Sequence, residues 1–257
     1  MGSIPLESNG IKLDMGKLDG KVALVTGANR GIGKGIARGL GKEGAKLTIA
    51  ARDEKLLTAA AEELRGLGID VLAMPTDVTD EAQVERLFAA SQEKYGRLDV
   101  AVSNAGAFDG GRFDKLSAKA WDKVIAVNLR GPFLCGRAAF RIMKEQKGGR
   151  IINIGSISAQ RAREGTAPYT TSKFGLWGMT QAMALDGRPH GIVVSCLHPG
   201  NVMTERRAGS SFESDKEPMM TVDELAEVCV LMATLPPHVN MLEAIVLPVE
   251  QLYLGRG

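Results

Sequence analysis

Two residues of complementary chemistry, Tyr169 and Lys173, stand four positions apart in a segment of helical period. On a helix this spacing projects both side chains from one face, about one turn apart. A phenol is a poor acid–base catalyst at neutral pH, and a neighbouring ammonium favours its ionised form. The spacing therefore predicts a proton-transfer pair assisted by a fixed positive charge.

Two polar residues precede this pair. Ser156 stands thirteen residues before Tyr169 and directly after a predicted strand, where its hydroxyl can hold a substrate oxygen. Asn128 stands just ahead of Gly131-Pro132, where an interrupted helix can leave backbone groups free to bind water. Its side chain could support a proton relay from Lys173 to solvent. Chance or helix capping explains each residue singly, so the predicted catalytic group rests on the combination.

A glycine-rich turn, TGANRGIG at 26–33, follows the first predicted strand and opens a helix. Its glycines allow a tight turn, a close approach of the backbone to a pyrophosphate, and close packing of helix on strand. The helix N-terminus offers free N–H groups to the anion. Glycine also collects in ordinary turns, but a strand before the motif and a helix after it indicate a dinucleotide site.

Arg52 indicates which dinucleotide. An NAD-preferring site offers a carboxylate to the adenosine ribose at the end of the second strand, but the chain has Ala51-Arg52 there. Arg52, helped by Arg30 or Asn29, can pair with a 2′-phosphate through charge-assisted hydrogen bonds, so NADP(H) is predicted. The alternative is that Arg52 only starts the next helix, which Asp53 caps, and that NAD(H) is preferred.

The elements that must position these residues alternate along the chain. Short apolar or β-branched runs alternate with longer segments of helical period, which is typical of a parallel sheet between helices. We predict an α/β fold: a Rossmann-type doubly wound sheet of seven parallel strands with helices on both faces. The predicted strands are Val22–Thr26, Lys46–Ala50, Asp70–Pro75, Val100–Ser103, Arg150–Ile154, Ile192–Leu197 and Ala244–Leu247. The predicted helices are Ile32–Glu43, Asp53–Arg65, Asp80–Tyr95, Lys119–Glu145, Pro168–Leu185 and Thr221–Ala233.

Ligands of such sheets bind beyond the carboxyl ends of the strands. Asp77-Val78 could therefore flank the adenine, and Asn104-Ala105-Gly106 could pass under the cofactor. The polar segment 201–220 breaks the periodic pattern directly after the sixth strand, a position that favours a substrate lid over a plain surface loop. Residues 1–19 are expected to be a loosely ordered leader, and residues 20–257 a single domain.

Composition narrows the class of protein. A chain of 257 residues is long enough for one α/β domain, and its net charge of +2 does not indicate a nucleic-acid partner. Cys135, Cys196 and Cys229 lie in apolar stretches without metal or disulfide spacing, which favours buried reduced thiols. No stretch approaches the roughly 20 apolar residues of a membrane helix, so a soluble, cytoplasmic protein is expected.

In combination these motifs resemble the short-chain dehydrogenase/reductase family, in its compact single-domain branch. The resemblance runs from about Leu18 to Leu247. Its motifs occur in order: TGANRGIG at 26–33, Asp77-Val78, SNAG at 103–106, VNLRGPF at 127–133, INIGSIS at 152–158, YTTSK at 169–173 and PGNVMT at 199–204. The family implies hydride transfer between NADP(H) and a small ketone or secondary alcohol. It also implies a homo-oligomer, a tetramer or dimer, joined by the helices that begin near Lys119 and Pro168.

The resemblance gives each matching residue a role. The cofactor residues it implies are Thr26, Gly27, Arg30, Gly31, Ile32 and Gly33 in the turn, Asp77 and Val78 at the adenine, Asn104 along the cofactor, and Pro199, Gly200, Val202 and Thr204 beside the nicotinamide. In the catalytic group, Ser156 orients the carbonyl oxygen and Tyr169 donates the proton. Lys173, a ribose hydroxyl and water near Asn128 replenish that proton. Tyr169 and Lys173 therefore also count among the cofactor-binding residues, since Lys173 reaches the nicotinamide ribose.

The resemblance also has departures and rivals. Ser103 replaces the second Asn of many relatives, and the ending Glu243–Val249 replaces their Asp-Gly-Gly. That ending looks more like members acting on 3-hydroxy acids, serine-like substrates or a broad set of carbonyls. A sugar-nucleotide epimerase or dehydratase has different glycine spacing and a larger substrate domain. A non-catalytic NADP(H)-binding sensor or scaffold commonly loses part of the catalytic group, which is complete here.

The substrate pocket is predicted to mix apolar and basic side chains, and the basic ones could meet a carboxylate or merely face water. The candidates are Ala107, Phe108, Ile157, Ser158, Arg161, Arg163, Arg206 and Arg207.

Overall fold

The computed structural model describes residues 16–208 and 217–253. Within these ranges seven parallel strands form one sheet in the order β3-β2-β1-β4-β5-β6-β7. The strands are β1 Val22–Thr26, β2 Lys46–Ala51, β3 Val71–Pro75, β4 Val100–Ser103, β5 Gly149–Ile154, β6 Ile192–Pro199 and β7 Glu243–Val246. The predicted doubly wound α/β sheet is confirmed, with strand ends that agree to within two residues.

The central strands are continuous apolar runs because helices cover both faces of the sheet. Every residue of β1 and β4 is buried. In β1, Val25 pairs with Ile49 of β2 on one side and Val102 of β4 on the other. The first crossover thus runs outward from β1, and the chain later returns to its other side. This reversal between β1 and β4 opens the crevice in which doubly wound sheets bind ligands.

Seven helices lie in the described residues: α1 Gly31–Lys42, α2 Glu54–Gly66, α3 Glu81–Tyr95, α4 Ala118–Ile125, α5 Gly131–Glu145, α6 Ala167–Gly187 and α7 Val222–Thr234. Side chains of α1, α2 and α7 fill the core on one face of the sheet, and those of α3 and α5 fill the core on the other. Several helices start where the sequence signals predict, because an Asp, Ser or Thr accepts a hydrogen bond from a first-turn N–H.

The predicted single helix Lys119–Glu145 is in two parts. Helices α4 and α5 are separated by a π-helical turn at Ala126–Arg130, in which Gly131 N–H bonds to Ala126 O, five residues back. Pro132 causes the break because it has no N–H to donate to the Asn128 carbonyl. The wider turn keeps the chain helical while it passes this point.

The predicted leader and lid lie only partly within the described residues. Positions 1–15 and 209–216 fall outside them. Residues 16–19 form part of the folded domain, since Leu18 is buried in the core and its N–H donates to Glu43 O at 2.8 Å. These residues pack on the fold ahead of residue 20, and the division into a leader and a single domain stays a prediction. At the lid, Val202 forms an isolated parallel bridge with Met220.

The cysteines are free and buried, and burial raises the pKa of Cys135, Cys196 and Cys229 to about 12. Thiols in this environment behave as small apolar side chains rather than as nucleophiles. Among residues 16–208 and 217–253, no helix combines the length and apolar composition that crossing a bilayer requires.

Candidate active site

Helix α6 presents Tyr169 and Lys173 on one face, as their spacing requires. The Lys173 ammonium lies 5.6 Å from the centre of the Tyr169 ring. Lys173 is buried, and its Nζ donates to the carbonyl of Ile154, the last residue of β5, at 2.8 Å. The neighbouring strand end therefore holds the ammonium beside the phenol.

Ser156 lies two residues beyond β5 and is buried. Its Oγ accepts the Ser158 N–H at 3.1 Å, because Ser156 caps the short 3₁₀ turn Ile157–Ala159. A hydroxyl that accepts from the backbone still has its own proton to donate. Ser156 can therefore donate a hydrogen bond to a substrate oxygen from a fixed position.

The side chain of Asn128 is fixed by hydrogen bonds to two neighbouring segments. It is buried in the π-helical turn, where Oδ1 accepts the Ala107 N–H at 2.7 Å and Nδ2 donates to Ala107 O at 2.9 Å. Nδ2 also lies 3.2 Å from Ser172 Oγ, which donates to Tyr169 O. The amide thus clamps the segment after β4 to α6, and the proton relay predicted for Asn128 stays a prediction. The backbone carbonyl of Asn128 is better suited to hold water, because Pro132, four residues later, has no N–H to donate to it.

An aromatic wall stands beside the phenol. The Phe108 ring lies 5.3 Å from the Tyr169 ring and is half exposed. Of the other predicted pocket residues, Ile157 and Ser158 are buried in the 3₁₀ turn. The Arg161 guanidinium stacks over the Tyr253 ring at 5.2 Å. The Phe108 ring therefore borders the Tyr169 phenol on the side that faces solvent.

The glycine-rich turn is locked to the end of β4. Thr26 Oγ1 accepts the N–H groups of Asn104 and Ala105 at 3.1 and 3.2 Å. Asn104 Nδ2 donates to Thr26 O and Gly27 O at 2.9 and 3.1 Å. A Cβ on Gly33 would overlap Asn104 Nδ2, and Gly27 adopts a positive φ of 66°. Two predicted cofactor residues, Thr26 and Asn104, thus fix the shape of the turn through their side chains. A ligand would then be bound by the backbone of the turn rather than by these two side chains.

The N-terminus of α1 binds an anion that comes from a distant part of the chain. Arg30, at the N-cap, makes no side-chain capping bond. Instead Gly31 N–H donates to Glu205 Oε2 at 2.8 Å, and Lys34 Nζ lies 3.7 Å from the same carboxylate. Burial opposes ionisation of Glu205, but backbone N–H bonds and Lys34 lower its pKa overall. A carboxylate held in this way is a stand-in for phosphate oxygens, so the turn fits a dinucleotide pyrophosphate.

Arg52 lies at the end of β2 with its side chain 65% exposed and its NH1 3.9 Å from Asp77 Oδ2. The glycine-rich turn is adjacent, since Ala28 N–H donates to Ala50 O at 3.2 Å. Asp53 caps α2 by accepting Leu56 N–H at 3.0 Å. Asp53 is therefore the cap of α2, as the alternative interpretation held. Arg52 lies outside the helix, and its exposed guanidinium can reach a phosphate.

Two further predicted cofactor segments have structural contacts of their own. Val78 packs against Gly131, where a Cβ would overlap its side chain. After β6, Gly200 N–H donates to Val246 O at 2.7 Å, and the chain then returns to α1. A Cβ on Gly31 would lie 3.3 Å from the Thr204 methyl group. The segment expected beside the nicotinamide thus meets the segment expected at the pyrophosphate.

Sequence reasoning missed Ser172, His198 and Glu205, which contact predicted site residues or their backbone, and Glu243, which contacts His198. Only His198 carried a local signal, a histidine within an apolar strand. The others look like ordinary surface or helix positions, because their partners lie far away in the sequence.

Comparisons with known proteins show the family of this chain. Residues 21–214 match the family model described as short chain dehydrogenase. The chain is 41% identical over 185 residues to an uncharacterized oxidoreductase, YxjF, of Bacillus subtilis, covering 72% of each protein. It is also 41% identical over 185 residues to the granaticin polyketide synthase putative ketoacyl reductase 1 of Streptomyces violaceoruber, covering 71% of this chain and 68% of that protein.

A solved structure with the same fold is that of an actinorhodin polyketide ketoreductase variant with NADPH. It is 33% identical in sequence, with a TM-score of 0.83, and the match covers 88% of this chain and 95% of that one.

Proposed function

This chain belongs to the short-chain dehydrogenase/reductase family, and we propose that it is an NADP(H)-dependent carbonyl reductase or alcohol dehydrogenase. The observation that carries the proposal is the grouping of Tyr169, Lys173 and Ser156 beyond the carboxyl end of β5, at the same edge of the sheet as the anion-binding N-terminus of α1. The similar ketoreductase that was solved with NADPH supports both the reaction class and the cofactor.

The chain's own groups fit the parts of NADP(H). The N–H groups at the start of α1 would hold the pyrophosphate, and Arg52 with Arg30 would hold the 2′-phosphate. Asp77 and Val78 would border the adenine, and the segment from Pro199 to Thr204 the nicotinamide. When bound, the nicotinamide supplies or accepts the hydride.

In the reduction direction, the Ser156 hydroxyl donates a hydrogen bond that orients the carbonyl oxygen. The Tyr169 hydroxyl then transfers its proton to the oxygen as negative charge develops there. Lys173, whose ammonium donates to Ile154 O, keeps a positive charge beside the Tyr169 ring. This charge stabilises the phenolate that forms when the proton has left. Phe108 excludes water from one side, which strengthens these electrostatic interactions.

The experiment that tests the proposal follows NADPH oxidation optically with a panel of ketones, aldehydes, 3-keto acids and diketones. Tyr169→Phe should lower kcat by roughly 10²–10⁴-fold, the usual contribution of a positioned acid, and leave NADPH binding nearly unchanged. Tyr95→Phe is the matched control, because the Tyr95 hydroxyl bonds to Leu47 O and Asp70 on another part of the fold. Tight NADPH binding without turnover of any carbonyl would instead support a sensor.

We also propose a homo-oligomer. Phe133 on α5, and Phe174 and Leu185 on α6, are each about half exposed, which is unusual for large apolar side chains on a surface. Light scattering on the purified protein should give a dimer or tetramer mass, and a monomer at all concentrations would contradict this part of the proposal.

A further inference from the structure

A histidine that the mechanism above does not use lies directly behind the catalytic serine. His198, in β6, is 0% exposed. Its Nδ1 lies 2.9 Å from Ser156 O and 3.3 Å from Ser156 N. The ring can approach this closely because position 155 is glycine, where a Cβ would lie 2.5 Å from Nδ1. Both backbone groups of Ser156 therefore contact a single imidazole nitrogen.

The other ring nitrogen faces a carboxylate. His198 Nε2 is buried and lies 3.4 Å from Glu243 Oε1, at the start of β7, with no closer hydrogen-bond partner among the described residues. The Trp177 ring packs on the imidazole edge to face at 5.7 Å and limits its rotation. A buried polar nitrogen without a strong bond is costly, so its orientation toward Glu243 calls for a functional explanation.

Glu243 also holds the far end of the loop from Ser156 to Gln160, called the serine loop below. Its Oε1 accepts Gln160 Nε2 at 2.6 Å, and Tyr253 donates to Gln160 Oε1 at 2.8 Å. The loop from Ser156 to Gln160 is thus held at its first residue by His198 and at its last by Glu243. Since these two side chains face each other at 3.4 Å, the two ends of the loop are held by adjacent side chains.

From this arrangement we propose that His198 and Glu243 position the Ser156 hydroxyl for the carbonyl oxygen. The inference rests on the proposed function, in which Ser156 orients the substrate. The direction of Oγ follows from the Ser156 backbone torsions and the Ser158 N–H bond, and His198 contacts the backbone on both sides of those torsions. Neither member of the pair touches the reacting atoms, so both are positioning residues that act through Ser156.

The test compares Glu243→Gln, His198→Ala and His198→Asn in the NADPH assay. We expect His198→Ala to lower kcat by about 10- to 100-fold, because a misplacement of about 1 Å has effects of that size. His198→Asn should recover part of this loss, since its amide can still contact Ser156 O. Glu243→Gln should lower kcat by roughly 3- to 10-fold, with the dissociation constant for NADPH unchanged in all three.

Two matched controls separate positioning from stability. Glu250→Gln makes the same charge change at an exposed position of the C-terminal segment. Ser195→Ala removes a buried polar group from the same strand β6, one that bonds Asn240 Oδ1 at 2.9 Å and not the serine loop. Both should leave kcat unchanged. If Glu243→Gln, whose site is 32% exposed, folds normally and also leaves kcat unchanged, the inference is overturned.

A second readout does not depend on turnover. In the cofactor-free protein, Glu243→Gln should shift the 15N NMR signals of the His198 ring, and the two controls should not; an unshifted ring would overturn the pairing. Ser156→Ala separates the two proposals. If it is inactive while the His198 and Glu243 variants are fully active, only the positioning role fails. If it is fully active, the proposed role of Ser156 fails and the inference fails with it.

Discussion

The proposed catalytic group and the proposed phosphate-binding group lie at the same edge of the sheet but are built differently. Lys173, Ser156 and Asn128 are buried, and a backbone group of another element or turn contacts the working end of each side chain. Arg52 is largely exposed and reaches Asp77 only at 3.9 Å, while Gly31 N–H is bonded to the carboxylate of Glu205. The fold's own hydrogen bonds fix the catalytic side chains, whereas the phosphate side offers an exposed cation and an N–H group that holds a carboxylate.

This difference has a physical reason. Catalysis gains most when reacting groups are held in place before the reaction, because no entropy is then lost at the transition state. Binding of a charged phosphate needs available cations and N–H groups rather than a rigid geometry at each one. Substitutions on the catalytic side should therefore change kcat, and those on the phosphate side should change affinity.

The largest expected effect is that of Lys173→Met. It removes the ammonium beside Tyr169 and the bond to Ile154 O, and kcat should fall by roughly 10²–10⁴-fold. Steady-state kinetics with the best carbonyl of the panel measures this, with Lys144→Met at an exposed position of α5 as the control. A Lys173→Met enzyme with normal kcat would remove the contrast between the two regions.

Arg52→Asp should change affinity and leave the catalytic step alone. Losing a charge-assisted pair with the 2′-phosphate should weaken NADPH binding by roughly 10- to 100-fold, whereas NADH, which lacks that phosphate, should bind as before or better. Fluorescence titration with both nucleotides measures this, with Arg86→Asp on the exposed side of α3 as the control. Unchanged NADPH affinity would show that Arg52 has no part in cofactor selection.

Asn128→Ala tests whether the catalytic side is rigid because of its hydrogen bonds. The substitution leaves the Ala107 N–H and C=O without their partners, so the free energy of unfolding should fall by about 1–3 kcal/mol. Denaturant titration measures the loss. Asn128→Asp keeps the acceptor for Ala107 N–H and should lose less; equal losses in the two variants would argue against the clamp.

The smallest effect is expected at the stand-in anion. Glu205→Gln weakens the interaction between the carboxylate and Gly31 N–H, so NADPH should bind about 2- to 5-fold more tightly, as expected for one charge at a helix N-terminus. Glu227→Gln, exposed on α7, is the control for the charge change. Weaker NADPH binding in Glu205→Gln would mean that the carboxylate supports the cofactor instead of competing with it.

The sequence was most informative where structure depends on neighbours along the chain. The period of apolar residues predicted each strand to within two residues, and the glycine-rich turn predicted a strand, a turn and a helix in the right order. Pro132 indicated an interruption near Asn128, but no signal in the sequence predicted a helix boundary or a π-helical turn at Ala126–Arg130, because apolar periodicity continues through the break. The missing N–H of Pro132 changes the hydrogen-bond pattern there without changing that period.

By itself, then, the sequence determined the α/β fold, the residues at the strand ends and the spacing of Tyr169 and Lys173. Only the tertiary structure decided what those residues contact. Gly31 meets Glu205, 174 positions away, and Ser156 meets His198, 42 positions away. Such pairs leave no periodic signal, because they depend on how distant elements are brought together when apolar faces pack into one core.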